Sequence, residues 1–185
     1  RSLSSAASDV YKRQLLRIIA GLESIIDGEV IINEQVVSKK NFILPPEKRN
    51  VGLVVEDRAL FPHLNVEKNV MFGIRHLQER KSLAHEHLSL FRVADLGKKY
   101  PHEISAGQQQ RVAFARTLIT NPDILLLDEP FGALDKNLKT ELHLETKKIF
   151  KDKGLSVLLV THDQEEAEYF SDRVIEFHKD KITIR

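Results

Sequence analysis

From Leu15 the apolar residues Leu15, Ile18, Ile19 and Leu22 recur at spacings of three and four, which predicts one helical face closing near Gly21. The period then changes to that of strands. Val30-Ile31-Ile32 and Gln35-Val36-Val37 flank Asn33-Glu34, which reads as a hairpin turn. Pro45-Pro46 breaks the chain, and Val51-Gly52-Leu53-Val54-Val55 is an apolar run of the kind a strand shows when both faces are covered. Residues 65–101 are polar, with three or four short amphipathic segments rich in His, Lys and Glu, and predict a small helical insertion. A helix over 104–120, a strand over 124–127 and a helix over 135–150 follow. After them come a strand over 157–160, a helix over 164–170 and a terminal strand pair at 174–177 and 182–184. Strands alternate with helices, and the strands are almost continuously apolar. That pattern predicts an α/β fold, a parallel sheet flanked by helices.

Residues 1–14, RSLSSAASDVYKRQ, do not belong to this pattern. They are small and polar, contain no glycine, and the composition changes at Leu15. The string resembles a translated adapter sequence found at the ends of assembled environmental proteins. Residues 1–14 are therefore expected to be a non-native scar, and 15–185 a partial domain carrying the 65–101 insertion.

Composition narrows the classes. The chain has 185 residues, 42% hydrophobic and 30% charged, enough apolar side chain for one globular core. Twenty-eight Lys+Arg stand against 27 Asp+Glu, so there is no basic excess to mark a nucleic-acid or anionic-membrane binder. The absence of cysteine excludes a disulfide scaffold, a thiolate metal site and a Cys nucleophile. No apolar run approaches the ~20 residues of a membrane span, so a membrane role has to pass through a partner.

The candidate chemistry sits at strand ends, where ligands gather in open parallel sheets. Glu56, the pair Asp128-Glu129, and His162 all stand just after apolar runs. Neighbouring residues at a strand end point in different directions, so one carboxylate can hold Mg²⁺ while the other serves as general base. On its own, the pair is equally well a solvated strand end. Ser105-Ala106-Gly107-Gln108 adds a capping box that opens a helix, with free N–H groups and a glycine that would let a phosphate approach the backbone. It precedes the carboxylates by about twenty residues, a combination harder to meet by chance than either part.

Ile104-Ser105-Ala106-Gly107-Gln108-Gln109-Gln110-Arg111, Ile124-Leu125-Leu126-Leu127-Asp128-Glu129-Pro130, Gly132-Ala133-Leu134-Asp135 and Thr161-His162-Asp163 resemble, in order, the signature, Walker B, D-loop and switch histidine of ATP-binding cassette (ABC) ATPases. Ala59-Leu60-Phe61-Pro62-His63-Leu64 further resembles the importer subgroup for sugars, polyamines, sulfate or ferric iron. The resemblance implies a P-loop NTPase-like sheet with a helical subdomain, and ATP and Mg²⁺ as cofactors. It assigns Asp128 to Mg²⁺ through its water shell, Glu129 to the general base and His162 to the γ-phosphate. Ser105, Ala106, Gly107 and Gln108 would face the ATP of a second subunit in a head-to-tail dimer, and Asp135 would contact that subunit. Glu56 stands where the family usually has Gln, in a loop linking the Mg²⁺ shell to an integral-membrane permease. An extracytoplasmic solute-binding protein, and a peripheral location on the cytoplasmic face of the inner membrane, complete the expectation. No nucleic-acid partner is expected.

The chain departs from the family at its start. The phosphate loop G-x-x-G-x-G-K-[ST] should lie immediately before Leu15, but Ala6, Asp9 and Tyr11 stand at its glycine positions. Lys12 falls at its lysine, and Arg13 where a hydroxyl should meet Mg²⁺. The preceding strand and the adenine-stacking aromatic are not recognisable, so the chain as given is expected to bind ATP poorly. Ala106 replaces a signature glycine, and His178-Lys179-Asp180-Lys181 lacks the usual hairpin glycine. The regulatory β-domain that many carbohydrate-importer ATPases append is not expected within these 185 residues. Asp135 and Asp163 also read as helix N-caps, Asp163 with Glu166 as a capping box. Two alternatives are an ABC protein acting on nucleic acid or the ribosome, and a non-hydrolysing docking module.

Overall fold

The computed structural model describes the backbone of residues 3–178 and 181–184. Helix α1 (Leu3–Ala20) stops at Gly21, whose φ of +81° is the left-handed conformation that ends helices. Strands β1 (Glu29–Ile32), β2 (Gln35–Lys39) and the short β3 (Phe42–Ile43) form an antiparallel sheet. Asn33 (φ +48°) and Glu34 (φ +64°) both adopt the left-handed conformation of a tight hairpin turn, as expected, whereas β3 was not predicted.

Strands β4 (Val51–Val54), β5 (Ile124–Asp128) and β6 (Ser156–Val160) make the parallel sheet in that order. Val54 lies opposite Leu127, and Asp128 opposite Val160, so the strands end level with one another. Between β4 and β5 run α2 (Val66–Met71), α3 (Arg80–Leu90) and α4 (Ala106–Leu118), joined by 3-10 turns. The first two, with those turns, occupy the polar region 65–101. Helices α5 (Lys136–Asp152) and α6 (Gln164–Phe170) flank β6, and β7 (Ile175–His178) pairs antiparallel with β8 (Lys181–Ile184). The tip of that final hairpin, Lys179-Asp180, lies outside the described residues.

Alternation along β5 places the core on both sides of the sheet. Leu125 and Leu127 pack with Phe114, Phe131 and Leu142 on one face, while Leu126 packs with Leu16 and Ala20 of α1 on the other. Only β5 is covered as fully as its sequence suggested. In β4, Gly52 and Val54 are buried while Val51 and Leu53 are half-buried, and in β6 Ser156 and Val157 are exposed. Among the described residues β6 pairs on one edge only. Residues 3–14 lie in α1 together with 15–20. No helix among the described residues is long and apolar enough to cross a membrane.

Candidate functional site

The level ends of β4, β5 and β6 set Glu56, Asp128, Glu129 and His162 along one rim. Glu129 follows β5 directly, and its N–H continues the ladder by donating to Val160 O at 2.9 Å. Its φ of +48° is rare for a residue with a Cβ and turns its side chain away from that of Asp128. The Glu129 carboxylate is buried, and one oxygen meets His162 Nδ1 at 2.8 Å, while the imidazole is largely exposed. Gly132 closes the turn, donating its N–H to Glu129 O at 3.2 Å. The two residues assigned to the base and the switch histidine, 33 apart in sequence, thus touch.

Asp128 faces the other way and meets Arg13. The guanidinium Nε lies 3.3 Å from Asp128 Oδ1, and Nη2 donates to Glu56 Oε2 at 2.7 Å. Burial pushes the Asp128 carboxyl above its ordinary value, the charges of Glu129 and Glu56 add to that, and Arg13 opposes it. Sequence reasoning set Arg13 aside with residues 1–14. The available signal was its register: three residues before the buried Leu16, on the helix that covers Leu126.

Ser105 and Gln108 form the predicted capping box, with Gln108 N donating to Ser105 Oγ at 3.3 Å and Ser105 N to Gln108 Oε1 at 2.9 Å. Among the described residues neither bonds to Asp128, Glu129 or His162. Gly107 has a packing role that the sequence reading did not foresee. A Cβ there would stand 2.3 Å from Leu138 Cδ2, so the glycine lets α4 close on α5. Ala106 is exposed in the first turn of α4.

Asp135 and Asp163 are N-caps of α5 and α6, accepting from Leu138 N at 3.1 Å and Glu166 N at 3.2 Å. The expected Asp163–Glu166 capping box does not form, because Glu166 is drawn elsewhere. It is buried and pairs with Lys139 Nζ at 2.9 Å, which also holds Asp163 at 2.6 Å. The Lys139 hydrogen bond lowers the Asp163 carboxyl, whereas burial raises that of Glu166 against the pull of Lys139. Lys139 therefore ties α5 to the residue following His162. A single lysine on a charged helix gave no advance sign of it.

The loop after β4 is fastened from two sides. Arg116 of α4 donates to Ala59 O at 2.6 Å and Arg58 O at 3.0 Å, with its guanidinium 5.5 Å from the centre of the Phe61 ring. The Asn69 amide bonds to both Phe61 N and Phe61 O. These bonds stabilise the left-handed backbone of Arg58 and Ala59 (φ +63° and +44°), just beyond Glu56.

Comparison with known proteins fits this arrangement. A family model described as ABC transporter matches residues 12–132. The chain belongs to the ABC transporter family. It is 42% identical over 175 residues to the spermidine/putrescine import ATP-binding protein PotA of Bacillus anthracis, covering 92% of this chain and 52% of that protein. It is 39% identical over 180 residues to the Fe(3+) ions import ATP-binding protein FbpC 2 of Haemophilus influenzae, covering 95% and 51%. The chain thus spans about half the length of these relatives. Among solved structures, the ATP-binding cassette MJ0796 in a dimeric post-hydrolysis state bound to ADP and Pi superposes with a TM-score of 0.79 at 30% identity, over 93% of this chain and 79% of that one. The parallel sheet and its helices are therefore those of an ABC cassette.

For an ABC protein, Mg²⁺ is implied beside Asp128. The residues present do not fit it as arranged. The space between Asp128 and Glu56 is bridged by Arg13, and no cluster of three or more His, Cys, Asp or Glu among the described residues is placed to hold a metal. Nor does the backbone before Leu15 form a nest of N–H groups, since it is helical from Leu3 and its amides serve the helix.

Proposed function

We propose that this chain is a large part of the ATP-hydrolysing subunit of an ABC importer, in which hydrolysis drives solute uptake through an integral-membrane permease. The observation that carries this is the contact between Glu129 and His162, at 2.8 Å, where β5 and β6 end. A buried carboxylate held by an imidazole at a strand end is built to accept a proton from a water directed at a phosphate. Glu129 takes that proton as the water oxygen bonds to the γ-phosphorus, and the bond to the ADP oxygen breaks. His162 fixes the carboxylate and, being exposed, can also reach the phosphate.

ATP is the substrate in this proposal, and Mg²⁺ would accompany its phosphates only where residues 1–14 are replaced, since Arg13 bridges Asp128 and Glu56 in the chain as it stands. Ser105, Ala106, Gly107 and Gln108 with Asp135 serve a second subunit's nucleotide, head to tail. What supports this is that Ser105, Ala106 and Asp135 lie exposed at the starts of α4 and α5. The importer names of the relatives support a permease, an extracytoplasmic solute-binding protein and a peripheral place on the cytoplasmic face of the membrane. In the chain as it stands, nucleotide affinity is low, because helix replaces the glycine nest. That same feature favours a second role, a module that docks without hydrolysing.

The test replaces residues 1–14 with the corresponding segment of Bacillus anthracis PotA and compares phosphate release with and without Glu129→Gln. A fall of about 10²–10⁴-fold with nucleotide binding intact is expected, since an amide keeps the shape but accepts no proton. A change within about ten-fold would remove Glu129 from the base role. A chimera that binds nucleotide without hydrolysing it would favour the docking module.

A further inference from the structure

His162 is largely exposed, so packing does not fix its imidazole, and its place is set by the residues on either side of it. Upstream, Val160 is held in the ladder, opposite Asp128 and accepting the Glu129 N–H. Downstream stands Asp163, and both oxygens of its carboxylate are engaged. Oδ1 accepts from Glu166 N at 3.2 Å and caps α6, while Oδ2 accepts from Lys139 Nζ at 2.6 Å. The same ammonium meets Glu166 Oε2 at 2.9 Å. Glu166 is buried and its Oε1 has no hydrogen-bond partner among the described residues, which leaves the Lys139 pair to offset its charge. Burial raises the Glu166 carboxyl, Lys139 opposes the rise, and the charges of Asp163 and Glu129 add to it. Lys139 is itself fixed. It lies one turn into α5, donating its N–H to Asp135 O at 2.9 Å, and the helix is seated by Leu142, Ile149 and Phe150 in the core.

We infer that Lys139 is a positioning residue for His162, tying the start of α6 to α5 so that the imidazole stays on the Glu129 carboxylate. The lever is short. Asp163 is the next residue along the chain, about 3.8 Å from His162 between α-carbons, so a shift at one is passed almost undiminished to the other. Without Lys139, the buried Glu166 carboxylate loses its cation and is drawn toward water. That movement pulls on the first turn of α6, where Glu166 N bonds Asp163. A misplacement of about 1 Å at a reacting group costs about 10²-fold in rate. The catalytic consequence rests on the reading of Glu129 as base, whereas the contact itself can be read without nucleotide.

The experiment records the side-chain ¹⁵N resonances of His162 in the full chain, assigned with His162→Gln, with Glu129→Ala as the reference for a lost contact. Lys139→Met should move them toward the Glu129→Ala positions. Lys139→Arg, which keeps the charge and reaches both acids, should hold them near wild type. If Lys139→Met does not fold, Lys139→Met combined with Glu166→Gln carries the test, because it removes the buried charge and still leaves Asp163 untied. The resonances should move there too. In the chimera carrying the PotA segment, Lys139→Met should lower kcat by about 10²-fold with KM for ATP unchanged, and Lys139→Arg should restore most of it. His162 resonances that keep their wild-type positions in the folded methionine variants would overturn the inference, and so would a kcat indifferent to Lys139→Met. A chimera in which Glu129→Gln leaves hydrolysis unchanged overturns the base reading instead, and the resonances then decide the positioning of His162 alone.

Discussion

Arg49 is the cation on which most backbone in this fold depends, and replacing it with methionine is the sharpest test of how the first sheet is attached to the rest. Arg49 is 3% exposed, and its guanidinium makes five hydrogen bonds. It donates to Leu44 O at 2.7 Å, to Ile18 O and Ile19 O at 2.9 and 3.0 Å, to Val37 O at 2.8 Å and to Ser38 Oγ at 2.7 Å. One side chain thus satisfies carbonyls in the last turn of α1, on β2 and after β3, where the helix terminus also favours positive charge. Burial opposes the charge, lowering the Arg49 pKa. Methionine keeps much of the length and removes every donor. An orphaned buried acceptor costs about 1–3 kcal/mol, so with two of the five regaining water the other three cost about 3–9 kcal/mol, and relief from burying the guanidinium charge brings the net loss to about 3–5 kcal/mol. For a domain of this size that lowers Tm by roughly 6–20 °C. Urea unfolding followed by circular dichroism should show a lower midpoint with an unchanged slope. Gly21→Ala should act through the same cation, because its Cβ would stand 2.5 Å from Arg49 Nε at a φ of +81°. The two changes should therefore combine less than additively. A loss below about 1 kcal/mol for Arg49→Met, or strict additivity with Gly21→Ala, would refute the claim that this residue joins the three segments.

His143 is pushed down to about 4, by burial first and then by Lys139. Its folded value lies below the ordinary 6.5, so the unfolded chain takes up the proton first, and stability falls as pH drops from about 6.5 toward 4. His143→Phe keeps the ring against Phe131 and should flatten that slope in pH-dependent urea unfolding, whereas coincident slopes would exclude His143 as the source. Gly107→Ala should cost about 1–3 kcal/mol by pressing on Leu138, and Leu138→Ala in the same chain should recover part of it. If Leu138→Ala recovers none of the cost, α4 is not being pushed from α5.

What the sequence alone determined is what depends on neighbours along the chain. Asn33-Glu34 predicts its turn because the next few residues decide the hairpin, and Ser105, Asp135 and Asp163 predict helix starts because a cap reaches only three residues ahead. The apolar runs ending in Glu56, Asp128 and His162 place these residues at strand ends for the same reason. The tertiary structure decided whatever depends on the spacing between elements. Arg13 meets Glu56 across 43 residues, and Gly107 is small because of Leu138 on another helix. Glu166, expected to fold back on Asp163, is instead taken by Lys139 of α5. A charged side chain several ångströms long has many possible partners within reach. Which it takes is set by the height and rotation of one packed element over another, fixed for Arg13 by Leu16 and Ala20 on Leu126 and Val160. Local periodicity carries the identity of the elements, and only the packed core carries their relative offset, on which each of these long-range contacts depends.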